Sequence, residues 1–477
     1  MHRLFAAAVL ILFLAPCAAA QGPAHAWRTI ETRHFRVHYP MEFEAWAMRA
    51  AERLDPIHAA VSREIGFTPP QTIDVLVVNP YAEPNGSAWP FLDAPRIVFF
   101  TEPPGPDEQL GAYGTWIELL AVHEVAHVVH MLRPSRNPLQ RLFEKSVLPL
   151  NPITLRAPRW VLEGYATVIE GRLTGAGRPS STIRALILRQ WAASGRLPAY
   201  AQLNSDRRFL GMSMAYLMGS AFLEWLERRG GPGALRHVWA RMTARERRSF
   251  DAAFAGVFGE RPERLYGEFL AELTASAIAV RRARALHDGV LFQETPRASG
   301  SPAVSPDGAK IAVVLRERDE PEKLVVWSTN PPEEEERKFR ERIETMLARD
   351  PEDVPPVRTK PLPRIALHEL VLPDGGDIQA PRWTRDGGAI VFTHRLPDAE
   401  GVLHFDGYRW EPESGALSRI TTRADVRELD LLDEETAIGV RSRGGLTELV
   451  TIDLRNGNVS AAGAARSLDR VIATPRV

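Results

Sequence analysis

The chain has 477 residues, more than one ordinary domain of roughly 100–200 residues holds, so two folded units are expected. Apolar residues make up 44% and charged residues 25%, the balance of a globular protein and not of a disordered or fibrous one. The formal net charge of −1 implies neither a nucleic-acid partner nor an anionic membrane surface.

The first twenty residues, MHRLFAAAVLILFLAPCAAA, have a basic start at His2 and Arg3, an apolar run from Leu4 to Ala15, and small residues at Ala18, Ala19 and Ala20. This is the pattern of a secretory signal peptide cleaved before Gln21, so an exported protein, periplasmic or secreted, is expected. The only cysteine, Cys17, lies inside it. LAPC is similar to a bacterial lipoprotein box, which would give a lipid anchor at Cys17, but Pro16 stands where that box has a small residue. Cleavage after Ala20 leaves no cysteine for a disulfide, and no later run approaches the ~20 apolar residues of a membrane span.

Next, WRTIETRHFRVHYP (Trp27 to Pro40) has strand character, and Glu42 to Ile65 has helical spacing at Phe43, Trp46, Ala50, Leu54 and Ile57. TIDVLVV (Thr72 to Val78) and RIVFFT (Arg96 to Thr101) are two further strands. A helix over Trp116 to Leu132 follows, opened by Thr115 with Glu118 three positions on and stopped by Arg133-Pro134. From Pro158 to Leu286 the chain reads as helices, including PRWVLEGYATVIEGRL and MAYLMGSAFLEWLERR. Strands feeding a helical subdomain make an α+β unit, assigned to residues 21–288.

A different pattern begins near Gly289 and is assigned to residues 289–477. SPAVSPDGAKIAVV and QAPRWTRDGGAIVFT share a proline, four residues, Asp-Gly and a β-rich run, and Asp430 to Leu454 is a weaker copy. Such turn-plus-strand repeats predict an all-β partial propeller of about three blades. The two clear copies are separated by a charged insertion at about 330–360, read as a solvated, partly helical segment. VIATPRV at Val471 to Val477 is similar to the lead-in of another repeat. This region is expected to pack loosely on the first unit and to be removable without loss of the candidate metal site, whose ligands all precede Arg172.

Within the Trp116 helix, His123 and His127 are four residues apart and share a face, where both imidazoles can reach one ion. Glu124 lies one step round, placed to act on a metal-held water. This is the His-Glu-x-x-His zinc pattern, set among apolar residues that make buried histidines and a buried carboxylate costly unless paired or metal-bound. The third ligand is expected to be Glu163, carried by a helix packed across the first. Glu170 shares its face and reads as a supporting or surface carboxylate. His130 sits about 10 Å further along the axis at ~1.5 Å per residue, too far for the same site. The alternative reading of these residues is a core helix with satisfied histidines and a surface Glu163.

LAVHEVAHVVH, PRWVLEGYATVIEG and MAYLMGSAFLEWLERRGG together resemble the gluzincin class of zinc metallopeptidases, in particular the bacterial peptidase-MA-like family, over roughly Trp27 to Leu273. The resemblance implies a zincin-like fold with Zn2+ held by His123, His127 and Glu163, and Glu124 as general base. It places Tyr216 on the helix that supplies an oxyanion donor, although an ordinary helix aromatic would stand there equally well; Tyr165 is a weaker candidate. The strand Arg96 to Thr101 is expected to form the edge on which an extended peptide substrate lies. The segment between His127 and Glu163 is longer than in the best-known gluzincins. The region from Ser301 resembles TolB-like propeller repeats. Two other readings stay open: a non-catalytic propeller-containing binding or scaffold protein with a structural metallopeptidase-like domain, and a metal-dependent hydrolase of non-peptide substrates.

Overall fold

The structure, a computed structural model, describes residues 26–471 apart from 106–107, 148, 206–212, 284–288, 297–298, 301, 318–319, 359, 373–374, 376 and 469. The expected signal peptide with Cys17, and the final repeat lead-in after Val471, lie outside the described residues.

The stretch expected as one strand is a hairpin, β1 (Trp27–Glu31) and β2 (Phe35–Pro40), because Thr32 N bonds to Phe35 O at 2.9 Å and turns the chain. A 22-residue helix, α1 (Glu44–Ile65), closed by Gly66 at φ 76°, crosses over to β3 (Ile73–Val78), which pairs parallel with β2. Then come β4 (Gly86–Trp89) and β5 (Arg96–Phe100), giving the sheet order β1-β2-β3-β5-β4. One correction follows for substrate placement. The strand at Arg96 is not an edge, since it pairs with β3 on one side and β4 on the other; the edge is β4. Proline and glycine around β4 hid this short strand in the sequence. Phe35, Val75, Val77, Ile97 and Phe99 point into a core shared with Trp46, Leu54 and Val61 of α1.

The remaining helices of this region are α2 (Trp116–Met131), α3 (Pro138–Ser146), α4 (Pro152–Arg156), α5 (Arg159–Thr174), α6 (Thr182–Ala193), α7 (Met214–Gly230), α8 (Ala234–Met242), α9 (Phe250–Phe258) and α10 (Pro262–Ala283). α5 and α7 meet through glycines. A methyl on Gly164 would lie 2.6 Å from the carbonyl carbon of Gly219, and one on Gly219 would lie 2.5 Å from Trp160 O. Only hydrogen at both positions lets the two backbones approach this closely. No helix among the described residues is long and apolar enough to cross a membrane.

The C-terminal region forms three successive four-stranded antiparallel sheets, with no closed ring among the described residues. They are β6 to β9 (Ala303–Val304, Lys310–Leu315, Lys323–Ser328, Ala366–Val371), β10 to β13 (Asp377–Trp383, Ile390–Pro397, Leu403–Trp410, Leu417–Arg419) and β14 to β17 (Val426–Leu431, Thr436–Arg443, Leu446–Asp453, Val459–Ser467). The repeat spelling has a physical basis. Ser305 Oγ meets Asp307 Oδ1 at 2.6 Å and accepts from Lys310 N, and Thr384 Oγ1 meets Asp386 Oδ1 at 2.5 Å and accepts from Ala389 N. The Asp-Gly glycines, Gly308 and Gly387, have φ of 71° and 70°, the left-handed backbone such turns require. The charged insertion is a helix, α11 (Glu333–Arg349), with no buried residue.

The expectation of loose packing is corrected by the contact between the two regions. Arg427 of β14, 5% exposed, donates to Glu102 at 3.0 Å, Pro103 O at 2.6 Å and Glu108 at 2.8 Å. Arg395 of β11 donates to Tyr81 O at 2.7 Å, and Leu403 N to Pro80 O at 3.1 Å. The sheets therefore hold the connection that leads into β4, at Pro80, Tyr81 and Glu83, and the segment that follows β5, at Glu102, Pro103 and Glu108.

Candidate metal centre

α2 is anchored at its start, where Thr115 Oγ1 accepts from Glu118 N at 3.3 Å and the Trp116 indole donates to Phe100 O at 2.9 Å. The helix runs through the core, with every residue from Leu119 to His130 buried. At four-residue spacing His123 and His127 stand one turn apart, their rings 4.9 Å between centroids and nearly perpendicular. α5, capped at Pro158, faces them. Glu163 Oε2 lies 3.2 Å from His127 Nε2 and 3.9 Å from His123 Nε2. The structure thus brings together all three residues singled out as ligands, with one donor atom from each within 4.8 Å of the others. The α5–α7 glycine contact seats α5 beside α7, which carries Tyr216.

His123 is fixed from behind. Glu170, wholly buried, meets its Nδ1 at 2.9 Å; a carboxylate there accepts, so Nδ1 carries the proton and Nε2 is left facing Glu163. The other contacts of Glu170 come from Arg178, through Nη1 at 2.8 Å and the backbone N at 2.7 Å. Gly177, at φ 76°, allows this turn, since any side chain would collide with the Glu170 carboxylate.

Glu124 lies beside the pair in a cavity of about 50 Å³ whose wall includes Asn85, Gly86, Leu120, Arg178 and Tyr216. Gly86 of β4 comes so close that a methyl would sit 2.5 Å from Leu120 Cδ1 and 2.9 Å from Glu124 Oε1. Burial pushes the Glu124 carboxyl up to about 7, aided by the nearby Glu163 charge and opposed by His127. Burial would raise Glu163 too, but His127 and His123 outweigh it and hold that carboxyl at about 2. His127 is correspondingly raised, burial being overcome by Glu163.

Tyr216 is half-buried, its ring 5.9 Å from that of His123 and tilted 31°, and burial raises its hydroxyl above the ordinary range, so the phenol is a neutral donor. Tyr165 is elsewhere, packed 4.7 Å from His130 and 5.1 Å from Trp239. His130, 1% exposed, is held between these aromatics, and burial keeps it neutral well below its usual pKa. Sequence reasoning passed over Gly86 and Arg178. The Asn85-Gly86 pair was a readable turn signal, whereas nothing local to Arg178 announces its contact with Glu170.

No family model matches the chain, and no curated protein does. Among solved structures, an M1 zinc metallopeptidase from Deinococcus radiodurans aligns with 51% of this chain and 51% of its own length, at 17% identity and a TM-score of 0.31. Native yeast LTA4 hydrolase aligns with 50% of this chain and 38% of its own, at 16% identity and a TM-score of 0.32. TolB from Acinetobacter baumannii aligns with 34% of this chain and 31% of its own, at 18% identity and a TM-score of 0.22. The chain spans about half or less of the length of each, and at such TM-scores these are likenesses of parts only.

Proposed function

We propose that the protein is an exported zinc-dependent peptidase that hydrolyses peptide bonds. The observation that carries this reading is the convergence of His123, His127 and Glu163 on one point, with Glu124 beside them in a cavity. The donor set fits a catalytic zinc: two imidazole nitrogens and one carboxylate oxygen leave a fourth position open, and His123 presents Nε2 because Nδ1 is committed to Glu170. When bound, zinc supplies Lewis acidity and brings the pKa of a coordinated water toward ~7.

The chain's own residues then divide the work. Glu124 accepts a proton from the attacking water and passes it to the departing amine, while the water oxygen bonds to the carbonyl carbon and the C–N bond breaks. Tyr216 of α7 lines the cavity beside His123 and Glu124, and its phenol hydrogen-bonds the developing oxyanion. Among the described residues β4 pairs only with β5, so an extended polypeptide adds along its other edge, and Gly86 lets that edge lie over Glu124.

The test is digestion of a peptide library by the mature protein after chelation and after return of one equivalent of zinc. Cleavage should vanish with the metal and come back with it. A zinc-loaded protein that cleaves no peptide would leave a non-peptide hydrolase or a scaffold as the better reading.

A further inference from the structure

Arg178 takes no part in the chemistry described above, yet it touches two groups that do. It lies in a short turn after α5, folded back tightly enough that a methyl on Gly171 would sit 2.6 Å from Pro179. Its side chain is 13% exposed. Nη1 and the backbone N take both oxygens of Glu170, at 2.8 and 2.7 Å, and the guanidinium carbon stands 4.5 Å from the centroid of the Tyr216 ring. The Tyr216 ring also lies 5.9 Å from that of His123, and all three residues line the same cavity.

We propose that Arg178 is a positioning residue of the metal centre, acting through Glu170 on the ligand His123 and through its guanidinium over the Tyr216 ring on Tyr216. The first effect follows from burial. Glu170 has no exposure to water, and a buried carboxylate without a counter-charge is strongly disfavoured. With Arg178 in place, that carboxylate is neutralised and its orientation fixed, so Oε2 is aimed at His123 Nδ1. The second effect needs a plane as well as a charge. A guanidinium lying over a phenol ring restricts its tilt, which a lysine ammonium does not do in the same way. The two effects are therefore separable by substitution.

The zinc effect stands independently of substrate, whereas the Tyr216 effect rests on the peptidase reading. The experiment measures zinc affinity by chelator competition, and kcat and KM on a cleaved peptide, for Arg178→Lys, Arg178→Met, Tyr216→Phe and the Arg178→Lys/Tyr216→Phe double variant, each checked for folding by thermal melting. Arg178→Met should weaken zinc binding ~10–100-fold, as loss of a group supporting a metal-bound histidine does. Arg178→Lys should restore zinc binding but lower kcat ~10-fold with little change in KM. In the Tyr216→Phe background the same lysine substitution should cost nothing further. If Arg178→Met does not fold, Arg178→Gln, which keeps a donor to Glu170 without the charge, is measured in its place. Wild-type zinc affinity in the uncharged variant, or an undiminished lysine effect without the Tyr216 hydroxyl, would overturn the proposal. If the wild type binds zinc and cleaves no peptide, the peptidase reading fails while the zinc measurements still decide the role of Arg178 toward Glu170.

Discussion

In the region of three sheets, Asp406 is 2% exposed and accepts four hydrogen bonds: from Arg419 at 2.6 Å, Thr421 at 2.8 Å, and the backbone nitrogens of Arg423 and Ala424 at 3.0 Å each. In the helical region, Glu124 is 4% exposed and has no hydrogen-bond partner among the described residues. Both carboxylates are buried, but only one is saturated. Asp406 has its oxygens occupied and fastens β12 to the loop after β13, which is the work of architecture. Glu124 has free acceptor capacity beside two histidines and a raised pKa, and capacity of that kind is what proton transfer uses. The same contrast runs through other buried charges. Arg427 is spent on Glu102, Pro103 and Glu108, whereas His123, His127 and Glu163 each offer a donor atom within 4.8 Å of the others.

If this contrast is right, substitutions in the sheets should cost stability and leave chemistry per folded molecule intact, and substitutions at the centre should cost zinc binding and chemistry. The largest effect is expected at Arg427. Arg427→Met leaves Glu102 buried without its counter-charge, so denaturant unfolding should show a loss of about 3–5 kcal/mol, as for other broken buried pairs. Zinc bound per folded molecule should not change. A loss below about 1 kcal/mol would mean that the two regions are not held together as the structure places them.

At the centre, His123→Ala, His127→Ala and Glu163→Ala should each weaken zinc binding by more than ~100-fold in chelator competition, beyond the range of a supporting residue. His130→Ala is the control on the same helix and should keep zinc, measured by metal analysis of the purified proteins. Equal loss there would break the distinction between the two faces of α2.

Asp406→Asn should then cost about 1–3 kcal/mol, since charge-assisted bonds become neutral ones and an amide nitrogen replaces one acceptor. Peptide hydrolysis per folded molecule should be unaltered.

The smallest effect concerns His404, which meets Asp425 at 2.6 Å and Asp398 at 3.2 Å. The hydrogen bond to Asp425 raises its pKa above the ordinary 6.5, with Asp398 adding to it against partial burial. A raised folded-state pKa stabilises the fold below the unfolded value, and that contribution fades as pH rises through the folded one. His404→Gln should therefore destabilise by about 1 kcal/mol at pH 5.5 and by less at pH 8.5, read from denaturant midpoints at the two pH values.

How much of this could be read from the chain depended on whether the cause was local. The spacing of His123 and His127 is a local fact of helix geometry, and so is the turn chemistry that writes Ser-x-Asp-Gly and Thr-x-Asp-Gly into two of the sheets. Glu163 was legible because an apolar, proline-started helix carried it. β4 was hidden, since four residues between prolines and glycines give no clear alternation, and with it went the identity of the sheet edge. Arg427 and Glu102 are separated by most of the chain, and no pattern in either neighbourhood announces the other. Glycines show the same division. The left-handed ones at the turns follow from local spelling, but Gly164 and Gly219 are explained only by the helix each one faces.

The most direct test of the central claim pairs the wild type with Glu124→Gln, measuring bound zinc and peptide hydrolysis on the same samples. The substitution removes the proton acceptor with little change in volume and leaves His123, His127 and Glu163 in place. The account predicts equal zinc in the two proteins and hydrolysis lower by ~10²–10⁴ in the variant. Undiminished turnover in Glu124→Gln would contradict it.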